Sequence, residues 1–68
     1  MKQEILTAKS IKKYRLAKGL TVIELAKLVK LSRTSIYSYE NGSKVPSPKR
    51  LTKIAKVLGV KPIQLLGG

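Results

Sequence analysis

Residues 21–42 read TVIELAKLVKLSRTSIYSYENG, and this stretch decides the fold. It opens on Thr21 with Glu24 three residues on, a capping-box pattern in which each side chain satisfies the other's backbone amide. Leu20 before the cap and Leu25 after it supply a hydrophobic staple. Leu25, Ala26, Leu28 and Val29 then give the helix an apolar face to bury. The same device repeats at once. Ser32 is a second N-cap, Leu31 and Ile36 are its staple pair, Ile36 and Tyr39 point inward, and Gly42 closes the helix. Residues 30–32 alone separate the two helices, so they meet at a tight corner.

The punctuation continues on both sides. Upstream, a helix over about Thr7 to Lys18 carries Ile11 and Tyr14 on one side, and Gly19 supplies its left-handed end. Downstream, a loop of turn formers runs from Gly42 to Pro46. Ser47 then caps a fourth helix with Pro48 at its first position, where a missing amide does no harm. Leu51, Ile54, Ala55 and Leu58 line its inner face, and Gly59 ends it. Pro62 starts a short fifth helix through Leu66, with Gly67 and Gly68 as a tail. No alternating strand pattern, repeat or low-complexity tract interrupts this. The reading is all-α: one domain over residues 1–68, a compact five-helix bundle with its core over about 8–66.

Composition narrows the function. A chain of 68 residues buries only about 60% of its unfolded surface, so its margin of stability is thin. With no cysteine and no histidine there is no disulfide, no thiolate zinc site, no imidazole ligand and no usual general base. Catalysis, a metal, a cofactor and a small-molecule ligand are therefore not expected. Fifteen Lys and Arg against Glu4, Glu24 and Glu40 give a net charge of +12, which calls for a polyanionic partner. A disordered basic tail does not fit, because 43% of the residues are hydrophobic and recur at helical spacing. The opening MKQEILTAKS lacks the apolar run of a signal peptide, and no segment approaches membrane-spanning length. A cytoplasmic protein is expected.

The runs Ile11 to Arg15, Lys18 to Thr21, Glu24 to Ala26, Ser32 to Ile36, Tyr39 to Gly42, Pro46–Ser47 and Ile54 to Val60 together resemble the phage repressor/Cro-type helix-turn-helix family. The resemblance covers roughly residues 10–66 and implies a lambda-repressor-like DNA-binding domain. It implies that the helix over 32–41 enters the major groove of double-stranded DNA and that positions matching Arg33, Thr34, Tyr37 and Ser38 touch base edges. The residue chemistry adds detail. A guanidinium at Arg33 can grip guanine O6 and N7 together, whereas Thr34 and Ser38 are short hydroxyls that discriminate weakly. Tyr37 either packs on a sugar or methyl group or simply sits on the surface. Ser35 stands at the capping position relative to Ser32.

Phosphate contacts are expected from the amide end of the second helix at Thr21 and Val22, and from Asn41, Ser43, Lys44, Lys49 and Arg50 around the loop. Lys12, Lys13, Lys53, Lys56 and Lys61 read as solvated charges. Glu40 falls on the inward side of its helix, and the resemblance pairs it with Arg15 in a structural salt bridge between the first and third helices. Three positions depart from the family pattern. Val22 stands where glutamine is usual, Lys30 where a corner glycine is common, and Lys61 where the fifth helix has a polar cap.

The expected function is a sequence-specific, double-stranded DNA-binding transcriptional regulator, a repressor. It would bind as a homodimer to half-sites one helical turn apart, ~34 Å, in a bacterial, archaeal or phage setting. The alternative is a protein-interaction module such as an antitoxin or transcriptional coactivator, for which Ile63, Leu65 and Leu66 form a candidate apolar patch.

Overall fold

The computed structural model describes residues 2–67, with side chains from Ile5 onward; Gly68, expected in the tail, lies outside them. Five helices follow in order: α1 over Lys2–Ala17, α2 over Val22–Val29, α3 over Arg33–Asn41, α4 over Pro48–Leu58 and α5 over Pro62–Leu65. Each contributes one aliphatic side chain with no exposed surface: Ile11, Leu25, Ile36, Ile54 and Leu65. Burying such a side chain stabilises by roughly 1.5–3 kcal/mol, so these five together contribute on the order of 10 kcal/mol toward offsetting the ordering of the chain.

The starts are capped as local chemistry dictates. Thr21 Oγ1 accepts from the Glu24 amide at 3.1 Å, and the Thr21 amide donates to Glu24 Oε1 at 2.9 Å. Hydrogen bonding to the carboxylate from the Thr21 amide, and then from the Thr21 side chain, holds the fully exposed Glu24 carboxyl below its ordinary range. Ser32 Oγ accepts from the Ser35 amide at 3.2 Å, and Ser47 Oγ from the Arg50 amide at 3.4 Å. At α5 the absent polar cap is compensated from the other side, because the Lys61 amide donates to Gln64 Oε1 at 2.9 Å.

Three helix ends share one design. A residue at positive φ follows the last turn, and the next amide reaches back five residues: Leu20 to Arg15 O, Leu31 to Ala26 O and Val60 to Ala55 O, at 2.9–3.1 Å. The side chains of Leu20, Leu31 and Val60 then fold onto the core. Gly19 and Gly59 take the positive φ at two of these ends. Lys30 takes it at the third, with φ 59°, and among the described residues it is the one non-glycine to do so.

Four sequence expectations are corrected. Helix α1 begins at Lys2 rather than Thr7, because residues 2–6 are mostly good helix formers with no breaker among them. Thr7 is an interior, buried residue, and Leu6 lies against Gly67, which gives the extra turn a tertiary neighbour. Leu28 is not part of the buried face but is 56% exposed. The stripe of α2 follows Val22, Leu25, Ala26 and Val29, and Leu28 sits about 100° around the helix from Val29. Helix α5 stops at Leu65, whose burial removes it from the supposed surface patch with Ile63 and Leu66.

Left-handed backbone at a side-chain-bearing residue is strained by about 1 kcal/mol. Lys30→Gly is therefore expected to raise Tm by roughly 4–8 °C for a domain of this size. Thermal unfolding followed by circular dichroism checks this; an unchanged or lower Tm means that the lysine side chain offsets the strain.

Candidate nucleic-acid interface

Helix α3 leaves the corner with its inner side fixed and its outer side open. Ile36 and Tyr39 are buried, Arg33, Thr34, Tyr37 and Asn41 are exposed, and Ser38 is half-buried at the edge. Ser35 is half-buried, and its hydroxyl lies 3.0 Å from Ser32 Oγ, so it belongs to the helix start rather than to the open face.

What stops α3 from rolling is an ion pair with direction. Arg15 Nε donates to Glu40 Oε2 at 2.6 Å, and Nη2 donates to Oε1 at 2.9 Å. The third arm, Nη1, donates to the Leu20 carbonyl at 2.7 Å. Both charged side chains are only 9% exposed. The hydrogen bonds to Glu40 raise the Arg15 pKa above its already high value, against the opposing effect of burial, and the Glu40 charge adds to them. Two parallel charge-assisted bonds set the orientation of both planes, which a hydrophobic contact does not.

The flanks carry donors of several kinds. At the amino end of α2 the capping box already occupies the Thr21 amide and hydroxyl. An anion arriving there meets the amides of Val22 and Ile23, the first two positions of the helix. The Glu24 carboxylate beside them opposes such an anion. After α3, Asn41 Oδ1 accepts from the Ser43 amide at 2.8 Å and from the Ser43 hydroxyl, a local turn that orders the start of the loop. The Lys44 amide folds back to the Ser38 carbonyl at 3.2 Å. The Asn41 oxygen is thus held by the turn, on a residue that is itself exposed. Lys44 is exposed on the same connection and Lys49 in the first turn of α4.

Sequence reasoning missed two features. Arg50 Nη1 donates to the Tyr39 hydroxyl at 2.8 Å, so this arginine ties α4 to α3. Lys12, read as a solvated charge, lines a cleft of about 290 Å³ between α1, α2 and α3 together with Arg15, Val22, Tyr37, Glu40 and Asn41. The signal was present: Lys12 precedes Arg15 by three residues and so shares its side of α1. In this cleft Val22, where a glutamine is usual, offers an apolar wall and its amide alone.

A family model described as helix-turn-helix matches residues 11–65. The chain belongs to the helix-turn-helix family. It is 38% identical over 64 residues to a putative HTH-type transcriptional regulatory protein of Aeropyrum pernix, an alignment covering 90% of this chain and 20% of that protein. Over 51 residues it is 43% identical to multiprotein-bridging factor 1c of Arabidopsis thaliana, covering 75% of this chain and 34% of the relative. The chain therefore spans about a fifth and a third of these curated relatives. Among solved structures, the restriction-modification controller protein C.AhdI from Aeromonas hydrophila superposes with a TM-score of 0.89 at 28% identity, covering 96% of this chain and 98% of that one. The helix-turn-helix domain is of the DNA-binding transcription-regulator type.

Removing one member of a largely buried ion pair leaves the other as an uncompensated charge. Glu40→Ala is expected to lower the unfolding free energy by ~3–5 kcal/mol, and the double variant Arg15→Met/Glu40→Leu to recover most of that. Chemical denaturation of the three proteins checks both statements; equal midpoints for wild type and Glu40→Ala would remove the pair from its structural role.

Proposed function

We propose that this helix-turn-helix domain reads double-stranded DNA in a sequence-specific way by placing α3 in the major groove. The observation that carries the reading is the division of α3 into a face held by Ile36, Tyr39 and Glu40 and an open face of Arg33, Thr34 and Tyr37, with Ser38 at its edge. Arg33 is the principal base reader, through bidentate contact with guanine. Thr34 and Ser38 add weak hydroxyl contacts, and Tyr37, 51% exposed, packs on sugar or methyl groups. Phosphates are gripped at the Val22 amide beside Thr21 and by Asn41, Ser43, Lys44, Lys49 and Arg50. Lys12 joins them through the cleft it shares with Asn41.

The protein binds as a homodimer on this reading, with half-sites ~34 Å apart. Exposed Leu6, Ile63 and Leu66 near the α1–α5 contact supply apolar surface for a second copy. A compact body seated over the groove represses by occupancy, in the cytoplasm where the DNA is. Domains of this type in relatives named as transcriptional regulators support the same class of activity.

Selection of bound duplex from a random pool at physiological salt tests the reading. The selected duplex is expected to bind at least about a thousandfold more tightly than a scrambled one; a ratio near one rejects it. Arg33→Ala should relax preference at one base position and cost ~1–3 kcal/mol, whereas a uniform loss across sequences assigns Arg33 to phosphate. Lys44→Ala should weaken all sequences alike and reduce the salt slope by about one.

A further inference from the structure

A second concave surface lies away from α3, between α2 and α4. Leu28, Val29 and Val57 form its apolar floor and Lys30, Lys53 and Lys56 its edges, around a hollow of about 310 Å³. Residues of α3 and of the α3–α4 loop are absent from this lining, so no group assigned to DNA takes part in it. A single exposed leucine is ordinary on a protein surface. Leu28 differs because its 56% exposed side chain borders a hollow beside Val57 rather than standing alone.

Charge decides what fits. Of the three side-chain carboxylates, Glu4, Glu24 and Glu40, the two whose side chains are described, Glu24 and Glu40, do not line the hollow. Glu24 is engaged by the Thr21 cap and Glu40 by Arg15. A second copy of this chain fits the groove poorly, because its described carboxylates, Glu24 and Glu40, are already engaged and leave nothing to meet the three ammonium groups. A phosphate backbone satisfies the lysines but brings nothing to cover Leu28 and Val57. A segment with apolar side chains on one side and carboxylates beside them satisfies both requirements. Lys30 adds an independent observation. At the two equivalent helix ends glycine takes the left-handed backbone without strain, but here a lysine takes it and stands at the edge of the hollow. Strain of this kind persists where a side chain is needed at that spot.

We propose that the α2–α4 groove docks an acidic amphipathic segment of a partner protein, leaving the α3 face open. This proposal stands apart from the DNA reading, since the two surfaces share no residue.

The test uses the isotopically labelled full chain and a short synthetic helix-forming peptide of glutamate and leucine, with leucines at i and i+4. One control peptide has serine for leucine and another has glutamine for glutamate. The first peptide should bind and move the amide signals of Leu28, Lys30, Lys53, Lys56 and Val57 most. Leu28→Ser and the double variant Lys53→Gln/Lys56→Gln should each weaken it about tenfold or more, with Tm unchanged. Equal binding by the serine peptide would reduce the groove to general charge attraction and overturn the proposal. Shifts centred on α3, or no binding at all, would overturn it too. Duplex binding measured on the same Leu28→Ser protein reports separately on the α3 reading and should be unchanged.

Discussion

The three hydrogen bonds made by Arg15 tie together parts of the chain that no single apolar contact could align. One guanidinium, rooted in α1, holds the Glu40 carboxylate on α3 and the Leu20 carbonyl in the turn leading to α2. Hydrophobic burial brings α3 to the bundle but is non-directional, so Ile36 and Tyr39 alone leave its roll about its own axis loosely defined. One residue of roll is about 100°, enough to exchange an inward side chain for an outward one. The planar fork of an arginine removes that freedom, and a lysine would not, because a point charge on a flexible stem accepts many orientations. The pair's value here is therefore geometric as much as energetic. It converts a small aliphatic core into a platform with a defined outward edge.

That platform must also withstand its own charge. A chain of 68 residues carrying +12 repels itself, and each described carboxylate is used to counter this locally. Glu40 neutralises a buried guanidinium. Glu24 sits at the amino end of α2, where its hydrogen bonds to Thr21 depress its pKa. A carboxyl with a lowered folded pKa contributes stability above its unfolded value and loses it as pH falls through the folded one, so this cap weakens only in acid. With both described carboxylates committed, the charged groups left on the described surface are cationic. The α3 flanks and the α2–α4 groove consequently inherit the same sign of charge and differ in what lies between the charges: polar donors in one, Leu28, Val29 and Val57 in the other.

The caps and helix ends were legible because their chemistry is local: Thr21 with Glu24, Ser32, Ser47 and the glycines at 19, 42 and 59 act within a turn of themselves. The inner face of α4 was equally plain from its spacing. What escaped depends on neighbours distant in sequence. Leu28 matched the apolar pattern yet faces outward, because where the α2 stripe is centred depends on how α2 packs on α3 and α4. The first turn of α1 lacks an obvious cap and owes its place partly to the packing of Leu6 against Gly67. Arg50 reads from sequence as a phosphate contact, and its bond to Tyr39, eleven residues back, appears only in the fold. Of the candidate site, the outward set on α3 could be read from a helical wheel. The turn joining Asn41 to Ser43, and the cleft holding Lys12, required the three-dimensional arrangement.

Lys30 is where the two surfaces meet mechanically. Its amide and that of Leu31 close the end of α2 on the Lys27 and Ala26 carbonyls, and its left-handed φ sets the corner from which α3 departs. The same residue lines the groove on the other side of that corner. Leu31, next in sequence, packs onto the core and prevents the corner from swinging. The groove and α3 are therefore joined by a short, hydrogen-bonded and packed connection rather than by a flexible linker. A segment docked between α2 and α4 would stand at a fixed offset from whatever α3 touches, so its position would follow from the fold of this domain and not from the length of any tether.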